Sequence, residues 1–138
     1  MIRRTGSCAL VFSVALGAAA TSAGFQPLTT PTYTEAQAKR GKEAYAISCA
    51  SCHGDQLDNG TFGPALAGPA FVGHWKDKSL DEPFTIMSTA MPPDNPGGLS
   101  PAIYADLMAF ILSENGIPHS QSELPSDVTK LKAMAAPR

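Results

Sequence analysis

The sequence predicts a small all-α domain built around a bound group, and three features lead there. Apolar residues recur at helical spacing behind capping residues at Thr34 and Ser100. No stretch makes a persuasive strand, and no internal repeat is present. Cys49-Ala50-Ser51-Cys52-His53 sets two cysteines two residues apart with histidine next, the attachment pattern of c-type haem. Each thiol of such a pair adds across one vinyl group, and the short bridge leaves His53 beneath the iron. Helices and loops wrapped around one covalently attached haem are therefore expected.

The N-terminus reads as a targeting segment. Arg3 and Arg4 precede an apolar run from Cys8 to Ala20, followed by the small residues Thr21-Ser22-Ala23. That is a signal peptide over residues 1–23, with export to the periplasm and cleavage after Ala23. A span of about 20 residues would be needed to cross a bilayer, so no stable membrane span is expected after cleavage. An uncleaved N-terminal anchor is the rival reading. Removing 23 of 138 residues leaves 115, one domain's worth, and removes Cys8. The remaining chain carries 8 Lys and Arg against 12 Asp and Glu, a formal charge of −4. Nothing there attracts nucleic acid or an anionic membrane surface. A chain of this size, rich in Gly and Pro, struggles to build its own core, which a held haem would supply.

Residues 24–33, with Pro27 and Pro31, read as an extended leader. The first helix starts behind Thr34-Glu35-Ala36-Gln37, a capping box in which Gln37 can reach back to Thr34. Ala38, Gly41, Ala44 and Tyr45 form one face, and the helix runs out near Ser48, delivering Cys49. Gly41 costs about 1 kcal/mol against alanine in a helix, which close approach by another helix would explain. Residues 54–70 hold four glycines and two prolines and read as loop. A proximal histidine usually donates its second ring N–H to a carbonyl, and Pro64 in that stiff loop is the candidate. Phe71 and Trp75 share an apolar face. Core packing and haem contact both fit Trp75, whose indole N–H would find an acceptor in a propionate.

A short helix is expected from Ser79 to Thr89, then a rigid loop from Ala90 through Met91-Pro92-Pro93-Asp94-Asn95-Pro96-Gly97-Gly98-Leu99. Ser100-Pro101 opens the last long helix, a serine N-cap with proline at N1. Its buried stripe is Ile103, Tyr104, Leu107, Met108 and Ile111, and Gly116 stops it. The tail, residues 117–138, can lay a weak amphipathic turn (Val128, Leu131, Met134) back on the body.

What fills the iron's sixth position separates electron carriers from catalysts, because a thioether closes the site and an open position binds small molecules. Met87 and Met108 fall in apolar stripes, and Met134 lies in the tail. Met91 sits in a stiff, proline-flanked loop, which suits a weak neutral sulfur ligand, so His53 and Met91 are the candidate axial pair. His74 and His119 are the bis-histidine alternatives. A zinc knuckle would need a second ligand pair, and a redox dithiol would need no adjacent histidine.

A capped helix entering CxxCH, Gly63-Pro64 after it, Met91-Pro92 and a final helix bearing Tyr104 together resemble the class I cytochrome c family over roughly residues 34–116. The resemblance implies a cytochrome c fold with first and last helices crossing near Gly41 and the 104–110 stretch. It implies haem c on Cys49 and Cys52, His/Met ligation and one-electron transfer without catalysis by the chain. Met91-Pro92-Pro93 leading into Gly97-Gly98-Leu99-Ser100, with Tyr104-Ala105-Asp106-Leu107, is similar to cytochromes associated with periplasmic quinoprotein alcohol dehydrogenases. That implies redox partners such as a quinoprotein dehydrogenase, and a terminal oxidase or other cytochrome as acceptor. The alternative is a haem enzyme or small-gas-binding cytochrome whose sixth ligand is absent or displaceable.

Overall fold

The computed structural model describes residues 27–138, and the expected signal peptide lies outside the described residues. Within them six helices follow one another: α1 (Glu35–Ser48), α2 (Ala50–His53), α3 (Gly68–Trp75), α4 (Asp81–Ala90), α5 (Pro101–Glu114) and α6 (Val128–Leu131). Two isolated bridges, Thr29 with Met134 and Ser79 with Ala135, are the described β contacts, and they build no sheet. The fold is all-α.

Local chemistry starts and stops these helices. Thr34 Oγ1 accepts the Gln37 N–H at 3.1 Å and opens α1. The other half of the expected capping box does not form. Gln37 is buried, and its side chain pairs with the tail instead, donating to Leu124 O at 3.0 Å and accepting from Leu124 N–H at 2.7 Å. A buried peptide group must find both partners, and one amide side chain supplies both. Helix α3 begins within the stretch expected to be loop. Pro69 lies in its first turn, where a missing N–H costs nothing. Helix α4 starts two residues later than expected, with Asp81 and Glu82 at the positive end of its dipole. Ser100 Oγ accepts the Ile103 N–H at 3.3 Å, and Gly116, at φ +78°, ends the run after α5.

Helices α1 and α5 form the main packing pair. They meet at Gly41, where any Cβ would overlap the Asp106 backbone and lie 2.9 Å from Phe110 Cβ. Above that point Tyr45 and Phe110 tilt against each other with centroids 5.4 Å apart. Beside it Arg40 grips Asp106 with two hydrogen bonds of 2.9 Å and also reaches Glu123. Residues 104–112 of α5 are all buried. Ile103, expected on the buried stripe, is 37% exposed, one turn ahead of the crossing.

The tail folds back over the domain. Tyr33 OH donates to Ile117 O, and the Ser120 N–H donates to Tyr33 O at 2.7 Å. Further on, the Leu80 N–H donates to Met134 O at 2.8 Å, and the Ala136 N–H to Lys78 O at 2.9 Å. Leu124, Leu131 and Ala136 are buried. The last residues thereby fasten the start of α4, the helix that delivers Met91. Among the described residues no helix is long and apolar enough to cross a membrane.

Candidate haem site

The single turn of α2 holds the attachment residues. Cys49 caps it, Cys52 lies within it, and His53 ends it. The chain then turns at Gly54, φ +81°, whose carbonyl accepts from Tyr45 OH at 2.7 Å. The N–H groups of Phe62 and Gly63 both donate to Cys52 O, at 3.3 and 2.9 Å, which folds the loop back under the motif. That return puts Pro64 O 2.7 Å from His53 Nδ1. A proline carbonyl can only accept, so Nδ1 carries the proton and Nε2 is left with its lone pair free. His53 is buried, and a Cβ on Gly63 would come within 2.6 Å of its ring. Only glycine lets the loop lie this close.

His53 opens onto a cleft of about 620 Å³. Cys49, Cys52, His53 and Pro64 line one side, and Met91, Pro92 and Pro93 the other. Phe71, Trp75, Leu107, Met108 and Ile111 also face it. Trp75 packs on Phe71 with centroids 6.3 Å apart, and His74 meets its edge at 4.7 Å. Lys78 Nζ lies 4.8 Å from the same ring. Three methionines reach the cleft, Met87, Met91 and Met108, and so does His74, whereas His119 and Met134 do not line it. Met108 is fully buried in α5, while Met91 follows the last turn of α4.

These residues fit a haem. The cleft is of cofactor size, its walls are mostly apolar, and its polar members, besides Ser48 and His74, are the His53 imidazole with a free nitrogen and two unpaired thiols. Burial, and then the neighbouring Cys52, push the Cys49 thiol up to about 11. A redox dithiol works with a lowered thiol instead. Among the described residues no three His, Cys, Asp or Glu side chains gather to hold a metal ion, so the second ligand pair of a zinc knuckle is missing.

Two side chains serve the site through hydrogen-bond partners that the sequence does not reveal. Asn115, just past α5, donates from Nδ2 to Leu66 O at 2.9 Å and accepts the Gly68 N–H at 3.1 Å. It latches the proximal loop to α5. Tyr104 does the same for the other side, donating from its hydroxyl to Met91 O at 2.6 Å. Polar side chains at helix ends are common, and only the three-dimensional partner distinguishes these two.

Helices folded about an apolar cleft, with CxxCH on its wall, define a c-type cytochrome domain: an electron-transfer module carrying covalently bound haem c. Comparison with known families agrees. The family described as "Cytochrome C oxidase, cbb3-type, subunit III" matches residues 36–111, and the chain belongs to that family. No curated protein and no solved structure matches the chain.

Proposed function

We propose that this protein is a periplasmic one-electron carrier with His53 and Met91 as axial ligands, passing electrons between a dehydrogenase and a respiratory acceptor. The observation that carries the reading is Met91, presented by a proline-stiffened loop to the same cleft that Cys49, Cys52 and His53 line. Bound haem supplies the one-electron iron couple. The chain does the rest. Pro64 holds the His53 tautomer and ring plane, and Cys49 and Cys52 supply the tethers. Phe71, Trp75, Leu107 and Ile111 keep water out, and excluding water is one of the levers that set a haem potential.

Partner choice follows from the cleft's rim. Phe62 and Ile86 line the cleft while standing 84% and 52% exposed, and among the described residues no Lys, Arg, Asp or Glu lines it. A brief, small contact with an apolar patch on a redox protein suits that rim, and its rate should depend weakly on salt. The 91–107 resemblance supports a quinoprotein dehydrogenase as donor, and the family's description supports delivery towards an oxidase. The basic and apolar pattern of residues 1–23 supports export.

The test is the near-infrared sulfur-to-iron charge-transfer band of the oxidised protein. It should be present, vanish in Met91→Ala and persist in Met87→Leu and Met108→Leu. A missing band with ready CO binding to the reduced protein would favour the haem enzyme or gas-binding protein instead. An intact band in Met91→Ala would assign the ligand to another methionine. Fractionation of the native host should place the protein in the periplasm, and recovery from the cytoplasm would refute export.

A further inference from the structure

We infer that Tyr104 is the positioning residue for Met91, holding the ligand loop closed over the cleft from its anchor in α5. The inference rests on the proposed ligation by Met91. Tyr104 is 3% exposed, so its ring is fixed in the core. Its hydroxyl donates to Met91 O at 2.6 Å and accepts from the Leu99 N–H at 3.4 Å. One oxygen atom thus ties both ends of the 91–99 loop.

The loop has few other ways to satisfy the Met91 carbonyl. Met91 is the cap residue after α4, in extended backbone at φ −118° and ψ 150°, so its carbonyl points beyond the helix. The next two residues are Pro92 and Pro93, which carry no N–H. The loop's own bonds run elsewhere, from Asn95 N–H to Pro92 O and from Gly98 N–H to Asn95 O, both at 3.0 Å. The donor that the Met91 carbonyl finds comes from outside the loop, the phenol of Tyr104. Thioether sulfur is a weak, uncharged ligand, so its occupancy of iron depends on how well the loop is held. Losing the phenol bond frees the loop end that carries Met91.

The experiment measures imidazole binding to the oxidised, haem-loaded protein, because imidazole must displace the sixth ligand. Tyr104→Phe keeps the ring and removes the hydroxyl. Expected is a rise in imidazole affinity of about tenfold, equivalent to about 1.4 kcal/mol, the size of one typical hydrogen bond. The charge-transfer band should fade at correspondingly lower imidazole. Tyr33→Phe is the control, since its hydroxyl bonds Ile117 O at the tail. It should lower the melting temperature and leave imidazole affinity unchanged. Equal affinity in Tyr104→Phe and wild type would overturn the inference, as would an equal rise in both tyrosine variants. Met91→Ala separates the two levels of the argument. If it binds imidazole no more tightly than wild type, the ligand assignment itself fails and the role of Tyr104 goes with it.

Discussion

Replacing Gly41 by alanine tests the helix crossing on which the site is built. Two effects oppose each other. Alanine is the better helix former by about 1 kcal/mol, and α1 is long enough to express that preference. Against it, the new methyl would overlap the Asp106 carbonyl oxygen and sit 2.5 Å from Asp106 C and 2.9 Å from Phe110 Cβ. Carbon atoms in ordinary contact stand about 3.5–4.0 Å apart, so α5 must retreat from α1 by about 1 Å. Backbone cannot swing aside as a flexible side chain would. The retreat also loosens the Tyr45–Phe110 pair and the two Arg40–Asp106 hydrogen bonds.

Overpacking of this kind costs about 3 kcal/mol at the upper end of its usual range. Net of helix propensity, about 2 kcal/mol of stability should be lost. For a domain of this size that lowers the melting temperature by about 8 °C. The assay is thermal unfolding of the oxidised haem-loaded protein, followed by far-ultraviolet circular dichroism. Gly73→Ala is the matched control. Gly73 lies in α3, and a methyl added there would meet nothing within 4 Å, so propensity acts alone and stability should rise. A Gly41→Ala protein as stable as wild type, with Gly73→Ala raised, would mean that the crossing has slack and that the steric argument is wrong.

Four other outcomes are expected. Gly63→Ala drives a methyl to 2.6 Å from the His53 ring; the ferric electron paramagnetic resonance spectrum should shift as the ring turns, and an unchanged spectrum would show that the loop yields instead. Asn115→Ala removes the latch to Leu66 and Gly68, and at about 1 kcal/mol per hydrogen bond should cost about 2 kcal/mol in a denaturant melt. Ending the chain after Leu131 removes the bonds that Ala133, Met134, Ala135 and Ala136 make to Thr29, Lys78 and Leu80, so the denaturation midpoint should fall and a fixed midpoint would show the tail to be passive. Hydrogen bonds from Thr129 hold the Asp127 carboxyl below its ordinary 3.8; a depressed carboxylate contributes stability above its unfolded value and loses it as pH falls through the folded one, so the protection factor of the Thr129 amide, its exchange rate corrected for the intrinsic pH dependence, should fall below about pH 4 and stay flat in Asp127→Asn.

What the sequence makes legible is what its chemistry keeps local. The caps at Thr34 and Ser100 act within three residues of themselves, and both form. The Cys49, Cys52 and His53 spacing is dictated by one haem edge, so five residues suffice to announce the cofactor. Helix α3 was hidden because Gly68 and Pro69 punctuate loops far more often than they open helices, and proline is harmless only in the first turn. Gln37 misleads for a different reason. Its capping partner is three residues away, but its actual partner, Leu124, is 87 residues away and offers two hydrogen bonds in a buried place. A side chain follows the better-desolvated pair, and sequence spacing cannot see that competition.

Asn115 and Tyr104 follow the same logic, and together they give α5 a role beyond filling the core. The two residues stand eleven apart on or just past one helix, a separation of about 16 Å along its axis. Asn115 fastens the loop that carries Pro64, and Tyr104 fastens the loop that carries Met91. Between them Leu107, Met108 and Ile111 form the wall of the cleft, and Asp106 and Phe110 lock the helix onto α1. Both loops are therefore referenced to one rod and not to each other. A rod of hydrogen-bonded backbone changes length far less than a loop changes shape, so the distance between the two sides of the cleft is set by α5. An electron carrier gains from that arrangement, because a fixed spacing lets the site accept or release charge with little movement of either side.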